Sequence, residues 1–333
     1  MIPGAYAPGM AGGNLLPMSA WRRVLGRIIY LLVGTAGALV VTEFGARLVV
    51  NGTLSAAAPV AGARAATPAV SLNSLGYRER EIPPKSPDRY RIVVIGDSYT
   101  WGQGLEAAQR FSNVLESLLG PRFEVLNFGT PGHRIYDDVT ELDRLQDLHP
   151  DFALLQLYVN DFEMPDMTRP APLPLLPRGW RGSVEQSSVV YQMLDDRWAH
   201  LQETLGLVDS YDGYMAKHLA SGQSLDAREA FGDLRQFFQH AASQGIQAGA
   251  VLFPAADSMG PFGANYPFGF IHDQVKTTCI QARATCLDLF PLFAKLPDPQ
   301  TSWVSPFDAH PNAAMNRQAA LEILNTFQAA WRR

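Results

Sequence analysis

From residue 90 onward, short apolar runs alternate with segments that carry apolar residues at helical spacing. The apolar runs occupy 91–95, 123–128, 152–159, 246–253 and 285–290. Helical spacing covers 106–119, 136–148, about 313–331 and a segment from a predicted N-cap at Asp226 to Gly245. Parallel strands need long crossover connections, so this alternation predicts a parallel sheet with helices on both faces. We therefore expect a three-layer α/β/α domain over 73–333, with a sheet of about five strands.

One segment, about residues 162–225, departs from the alternation. It opens with MPDMTRPAPLPLLPRGW, whose five prolines exclude a regular helix or a central strand over that stretch. An insertion after the carboxyl end of a strand lies where open α/β sheets bind ligands. Three interpretations fit this insertion: a lid over a site, a packing element or a partner surface.

The first 72 residues differ in character from the rest. The uncharged apolar run 28–41 follows three arginines, and 24–50 is long enough for a membrane span if its charges reach the interfaces. An uncleaved signal anchor and a secretory signal both fit, whereas a buried helix fits less well because no polar face interrupts the run. The anchor is favoured, since the candidate cleavage sequence ARA at 63–65 lies far beyond the apolar core.

The positive-inside rule orients this anchor. It predicts a cytoplasmic tail over 1–23, a transmembrane signal anchor over 24–50 and an Ala/Pro-rich stalk over 51–72. The domain that follows is then expected outside the cytoplasm, in a periplasm or at the cell surface.

The net charge and the number of cysteines argue against two kinds of function, nucleic-acid binding and zinc binding. The net charge of -5 comes from interspersed acids and bases, so no basic surface for nucleic acid is predicted. The two cysteines, Cys279 and Cys286, either form a disulfide in an oxidising compartment or remain buried thiols. Two cysteines without a nearby histidine pattern indicate no zinc site, and we expect no metal and no cofactor.

The sequence GDSYTWG, residues 96–102, begins where the first apolar run ends. A strand ending at Ile95, a glycine and a nearby helix start would place the Ser98 hydroxyl at the carboxyl edge of the sheet. Backbone N–H groups and a helix N-terminus stabilise negative charge there, which suits a nucleophile. Gly-Asp-Ser is also a common turn, so the interpretation requires a general base.

His310 is the candidate base among the seven histidines. It lies in SPFDAHPN, two residues after Asp308, in a predicted loop that leads into the last helix. A surface histidine in an Asp N-cap region is the structural alternative. Donors for a developing oxyanion follow the second and third strands: the backbone N–H of Gly132 or Gly129, and the side-chain amide of Asn160. Loops after neighbouring parallel strands meet at one edge, so we expect these groups to converge.

Taken in order, GDSYTWG, NFGTPGH, YVND and DAHPN resemble the four blocks of the SGNH, or GDSL-like, hydrolase superfamily. The resemblance covers roughly 73–331, because NSLGYRERE is similar to the lead-in of bacterial secreted or membrane-anchored members. It implies a flavodoxin-like fold with Ser98 as nucleophile and backbone donor and His310 as base. Gly132 and Asn160 would complete the oxyanion hole, and Asp308 would orient the base.

Two positions depart from the family pattern. Tyr158 stands where the third block usually has glycine, which reshapes the floor of the site. The histidine block is Asp-X-His rather than the usual Asp-X-X-His. This spacing leaves open whether Asp308 or a backbone carbonyl orients His310.

The resemblance implies a serine-dependent ester hydrolase or O-acyltransferase that forms an acyl-enzyme on Ser98. With the predicted compartment, it leads us to expect action on O-acetyl or other acyl groups of an extracytoplasmic glycan, with the N-terminal helix in the membrane. A lipase or thioesterase of the same fold is an alternative, favoured by a long apolar groove beside Ser98. Another is a non-catalytic accessory protein that binds glycan or docks on an integral membrane acyltransferase.

Overall fold

The computed structural model describes residues 29–31, 33–47, 71–306 and 308–331. Within these ranges one helix, α1 (Ile29–Arg47), is long and apolar enough to cross a membrane, and none of its apolar window is buried in the protein. A signal sequence meets the same criteria of length and composition. The predicted tail over 1–23, the ARA sequence and nearly all of the stalk over 51–72 lie outside the described residues.

A parallel sheet of five strands forms the centre of the domain, in the order β2-β1-β3-β4-β5. The strands are β1 (Tyr90–Gly96), β2 (Phe123–Gly129), β3 (Phe152–Leu157), β4 (Gln247–Leu252) and β5 (Thr285–Asp288). This is the flavodoxin-like strand order, so the predicted fold class is confirmed. Because β1 lies between β2 and β3, the loops that follow these three strands leave the sheet side by side.

Helices cover both faces of the sheet. They are α2 (Ser98–Trp101), α3 (Phe111–Leu119), α4 (Ile135–Leu145), α5 (Arg178–Ser187), α6 (Val189–Thr204), α7 (Tyr211–Leu219), α8 (Leu225–Ser243), α9 (Gly269–Ala282), α10 (Phe290–Phe293) and α11 (Ala313–Trp331). Alternate strand residues point to opposite faces, so Val93 and Ile95 pack with α4, α8 and α9. Ile92 and Val94 pack with α3 and α11 on the other face.

Several element boundaries differ from the sequence prediction, among them the start of α3 at Phe111 and the end of β5 at Asp288. β3 ends at Leu157 rather than at residue 159, because a short 3₁₀ helix, Val159–Phe162, begins there. The N-cap of α8 is Ser224 rather than Asp226, since the Ser224 hydroxyl accepts a backbone N–H of the first turn. Asp226 lies within that turn and pairs with His218.

The insertion contains the helices α5, α6 and α7, which the sequence analysis did not specify. Its proline-rich stretch, 163–177, has no regular helix. Two side chains of α6 hold this stretch: Gln202 Oε1 accepts the Leu173 N–H at 2.9 Å, and Asp195 Oδ1 accepts the Leu175 N–H at 2.9 Å. The leucines of PLPLLP therefore lie beside α6.

Cys279, in the last turn of α9, and Cys286, in β5, form a disulfide across seven positions of sequence. The alternative of two buried thiols is not what the structure shows. β5 is the last strand of the sheet and has a single strand neighbour, β4. The disulfide therefore ties the edge of the sheet to the helix that covers it.

We expect the Cys279→Ser/Cys286→Ser double variant to be less stable by about 2–3 kcal/mol, because a short cross-linked loop restricts the unfolded chain by about that amount. Thermal melting of the full chain in detergent, followed by circular dichroism, measures the difference. A thiol reductant should lower the melting temperature of the wild type and leave the double variant unchanged. Equal effects of reductant on both proteins would contradict a stabilising disulfide.

Candidate active site

Ser98 is the first residue of α2, a single helical turn that follows β1 directly. The N-cap of this turn is Asp97, whose carboxylate accepts the Tyr99 N–H at 2.9 Å. The end of β2 passes close to the turn, since a Cβ at Gly129 would lie 2.1 Å from the Trp101 nitrogen. Glycine at that position lets the strand approach, and Ser98 stands half-buried at the carboxyl edge of the sheet.

Gln156, a buried residue of β3, holds the start of α2. Its Oε1 accepts three hydrogen bonds, from Asp97 N–H at 3.2 Å, Thr100 N–H at 3.1 Å and the Thr100 hydroxyl at 2.8 Å. Sequence reasoning did not single out this residue. A signal was available, because a glutamine inside the apolar run FALLQL must find hydrogen-bond partners when it is buried.

Asn127 and Arg78 hold the other end of the same turn. Asn127 Nδ2 donates to the Thr100 carbonyl at 2.6 Å. Arg78 Nη1 donates to the carbonyls of Trp101 and Gly102, at 3.1 and 3.0 Å. Arg78 belongs to NSLGYRERE, so this lead-in segment supports the turn that carries Ser98.

His310 and Asp308 form a hydrogen-bonded line with Ser98. His310 Nε2 lies 2.8 Å from Ser98 Oγ, and His310 Nδ1 lies 2.5 Å from Asp308 Oδ1. An ionised carboxylate only accepts hydrogen bonds, so the tautomer with a proton on Nδ1 leaves Nε2 to accept from the Ser98 hydroxyl. The His310 side chain is 27% exposed, which leaves this line open to a substrate.

A short antiparallel hairpin explains how the Asp-X-His spacing works here. DAHP forms a strand, β7 (Asp308–Pro311), paired with β6 (Trp303–Ser305), and the predicted loop at this place is therefore wrong. Residues two positions apart in a strand point to the same side. Asp308 therefore reaches the His310 ring, and no backbone carbonyl is needed to orient it.

Gly132 and Asn160 lie on the same sheet edge, but within the described residues neither makes a hydrogen bond to Ser98. Gly132 follows β2 in a turn closed by the His133 N–H on the Thr130 carbonyl, and its φ of +85° suits the second central position of that turn. Asn160 lies in the 3₁₀ helix after β3, and its Oδ1 is buried without a described partner. Both residues stay predictions as oxyanion donors.

Tyr158, at the position where the family usually carries glycine, stacks on Tyr99 with ring centres 4.3 Å apart. The Tyr99 ring lies 5.0 Å from the His310 ring. Burial raises the pKa of both phenols well above the ordinary value, so both stay neutral. The two rings fill space between the end of β3 and the Ser98–His310 pair.

Comparison with known families identifies the family of this chain. The GDSL-like lipase/acylhydrolase family matches residues 94–318, which is more than half of the chain and includes all four sequence blocks. The chain belongs to this family. The resemblance seen in the sequence is confirmed, and membership supports hydrolysis of ester bonds.

Several solved structures are similar to this hydrolase. TesA has a TM-score of 0.45 at 15% identity, covering 72% of this chain and 98% of TesA. The acetyl xylan esterase AlAXEase has a TM-score of 0.44 at 16% identity, covering 71% of this chain and 98% of AlAXEase. A carbohydrate acetylesterase family member from Sinorhizobium meliloti has a TM-score of 0.44 at 12% identity, covering 73% of this chain and 100% of that protein. Likeness at this level concerns the fold alone. No curated protein matches the chain.

Three buried carboxyl groups of the hydrolase, those of Asp97, Asp138 and Asp161, are close enough to influence one another. Burial raises the pKa of each, and that of Asp138 to about 7. Asp138 Oδ2 and Asp161 Oδ1 have no hydrogen-bond partner among the described residues. Burial therefore shifts each of these carboxyl groups toward its protonated form.

His272 also has an acidic partner that sequence reasoning did not find. His272 Nδ1 lies 2.9 Å from Asp288 Oδ1, and His272 Nε2 lies 2.9 Å from the Tyr266 hydroxyl. A tyrosine stands here in place of a serine, so the group does not repeat the Ser98 arrangement. In the part of the chain that the structure describes, no cluster of three or more His, Cys, Asp or Glu side chains is suited to a metal ion.

We expect the Asp138→Asn variant to gain stability relative to the wild type as the pH rises from 4 to 7. Folding raises the pKa of Asp138 from 3.8 to about 7, so between these values the folded state binds more protons than the unfolded state. Wild-type stability then falls as the pH rises, and each pKa unit corresponds to about 1.4 kcal/mol.

Melting temperatures of the full chain at several pH values, measured in detergent, test this expectation. Asp147→Asn is the matched control, since Asp147 is an exposed acid just beyond the end of α4. The curve of melting temperature against pH for this control should run parallel to that of the wild type. Parallel curves for Asp138→Asn as well would show that the buried carboxyl does not titrate in this range.

Proposed function

We propose that this hydrolase is a membrane-anchored serine esterase or O-acyltransferase that acts on O-acetyl groups of an extracytoplasmic glycan. The observation that carries the proposal is the contact of 2.8 Å between Ser98 Oγ and His310 Nε2, with Asp308 on the far side of the ring. A serine hydroxyl needs a base of this kind, held by an orienting group, to act as a nucleophile at neutral pH.

The mechanism follows from these positions. Ser98 Oγ attacks the ester carbonyl carbon while His310 Nε2 takes the hydroxyl proton, and Asp308 stabilises the imidazolium that forms. The N–H of Ser98, the first residue of α2, has no partner within the helix and faces the developing oxyanion with Gly132 N–H and Asn160 Nδ2. His310 returns the proton to the leaving alcohol, and an acyl-enzyme on Ser98 remains.

Hydrolysis and transfer share this acyl-enzyme and differ in the acceptor. In hydrolysis, a water oxygen attacks the acyl carbon while His310 takes a proton from that water. The bond between the acyl carbon and Ser98 Oγ then breaks, His310 returns the proton to Ser98 Oγ, and the acid leaves. In transfer, a sugar hydroxyl takes the place of water. Exclusion of water decides between the two outcomes.

A short acyl group is favoured by Tyr158 and Tyr99. Their stacked rings occupy the space beside His310 that a glycine at residue 158 would leave open. A long apolar groove beside Ser98 would favour a lipase or thioesterase, with the PLPLLP segment as a candidate lining. That segment is instead held on α6 by Gln202 and Asp195.

The location outside the cytoplasm is supported by α1, whose length and composition suit a membrane span. Three arginines just before the apolar run favour a cytoplasmic N-terminus, which places the domain on the other side. The glycan part of the proposal rests on this location together with family membership.

We expect Ser98→Ala to abolish labelling of the full chain by a fluorophosphonate probe and to lower p-nitrophenyl acetate turnover by at least about 10⁴-fold. His310→Ala should lower this turnover by about the same factor, because the residues act as a unit. Asp308→Ala should lower it by a smaller factor. Ser117→Ala, at an exposed serine of α3, is the matched control and should label and turn over like the wild type.

Two outcomes would reject parts of this proposal. Full activity of His310→Ala would reject His310 as the base. A folded wild type that neither reacts with the fluorophosphonate probe nor hydrolyses p-nitrophenyl acetate would favour a non-catalytic accessory protein. Such a protein would bind glycan or dock on an integral membrane acyltransferase.

We expect Tyr158→Gly to raise the ratio of kcat/KM for p-nitrophenyl hexanoate over acetate by about tenfold or more, since each methylene accommodated in an apolar pocket contributes about 1 kcal/mol. Tyr158→Phe keeps the ring and is the matched control, so its ratio should equal that of the wild type. An unchanged ratio in a folded, acetate-active Tyr158→Gly would show that this ring does not limit the acyl chain.

A further inference from the structure

We propose that α6 of the insertion lies on the outer surface of the membrane that α1 spans, with an apolar stripe of α6 in contact with lipid. The stripe consists of Leu194 and Leu201 of α6 and of Leu205, the C-cap residue of that helix. The inference rests on the proposed membrane anchor and adds a second contact with the bilayer, made by the folded domain itself.

The stripe is exposed and lies on one face of the helix. Leu194, Leu201 and Leu205 are 55%, 45% and 62% exposed. Spacings of seven and four residues place their side chains in one row along an α-helix. Contiguous exposed apolar surface of this kind marks a site of interaction, whereas single exposed leucines do not.

Neighbouring segments extend this apolar surface. Leu173 is 71% exposed and Leu175 is 43% exposed, and their backbone N–H groups are bonded to side chains of α6. Trp180 of α5 is 74% exposed, and α5 is joined to α6 by the ion pair between Arg181 and Asp195, at 3.2 Å. Tryptophan is enriched where proteins meet the headgroup region of a bilayer.

The end of α1 is fixed to the start of α6, which places the stripe next to the membrane. The Glu43 carboxylate accepts the N–H groups of Val189 and Val190, at 2.9 and 3.1 Å, and the Ser188 hydroxyl at 2.9 Å. Arg47 donates to the Ser187 carbonyl. Since Glu43 lies in the last turns of α1, α6 begins where the membrane helix would leave the hydrocarbon core.

A groove between the two helices continues the apolar surface from α1 to α6. It has a volume of about 530 Å³, and its apolar lining comes from Leu39, Val40, Phe44 and Val190. Apolar side chains of both helices thus face one open space. Lipid is the occupant that fits this continuity, because the same acyl-chain layer that surrounds α1 would reach the groove and then the stripe.

Site-directed spin labelling of the full chain in vesicles of phosphatidylethanolamine and phosphatidylglycerol tests the proposal. Single cysteines replace Leu194, Leu201 or Leu205, and Asp196 or His200, on another face of α6, as matched controls. The native cysteines are bonded to each other and do not take the label. Power saturation compares the accessibility of each label to oxygen, which concentrates in lipid, and to a water-soluble nickel chelate.

We expect the oxygen-to-nickel ratio at the three stripe positions to exceed that at the control positions several-fold. Equal ratios would overturn the proposal, because the stripe would then face water. Stripe labels shielded from both reagents would also overturn it, since a protein partner such as an integral membrane acyltransferase would then cover the stripe.

Two further measurements separate this proposal from those on which it rests. A label at Val33→Cys in α1 reports whether the anchor itself lies in lipid, and an aqueous label there would reject both the anchor and the stripe contact. Fluorophosphonate labelling of Ser98 in the same vesicles reports the proposed chemistry alone. A labelled Ser98 with an aqueous stripe would leave the esterase intact and reject the membrane contact.

Discussion

The candidate site depends on a single helical turn that is not stable without hydrogen bonds from the surrounding structure. α2 has four residues, and a helix of this length makes too few internal hydrogen bonds to be stable alone. Buried polar groups of Gln156, Asn127 and Arg78 supply the missing bonds at both ends. Each bond left unmade there would cost about 1–3 kcal/mol, the price of burying an unpaired polar group. The packed sheet therefore determines where the Ser98 hydroxyl stands.

The other half of the site comes from the far end of the chain. His310 lies 212 positions after Ser98, and the β6–β7 hairpin presents it. Asn316 of α11 secures this arrangement, because its side chain accepts the Phe111 N–H at 2.9 Å and donates to the Pro311 carbonyl at 2.7 Å. The strand that carries His310 is thus bonded through α11 to the start of α3, the next long helix after Ser98. Because helices and strands hold both ends of this arrangement, the positions of Ser98 and His310 relative to each other are fixed.

The hydrogen-bonded group of Ser98, His310 and Asp308 and the proposed membrane contact lie in different segments of this hydrolase. Ser98 comes from α2, the helical turn after β1, and His310 and Asp308 come from the β6–β7 hairpin, whereas the exposed leucines come from the insertion. The proposed membrane contact is therefore separate in sequence from the proposed catalytic groups. Burial raises the pKa of Asp138 to about 7 and keeps the Tyr158 phenol neutral.

Local patterns in the sequence were enough for the α/β class of the fold, whereas the flavodoxin-like strand order was expected from the family resemblance. Hydrophobic periodicity identified the strands and most helices around them, and GDSYTWG placed Ser98 after the first strand, because turn chemistry and side-chain alternation act between residues close in sequence. The order of the blocks also selected His310 and Asp308 as candidates. The strand form of DAHP, the three bonds to Gln156 and the raised pKa of Asp138 were decided by the tertiary structure. Each arises from contacts or burial created by residues distant in sequence, which no local pattern records.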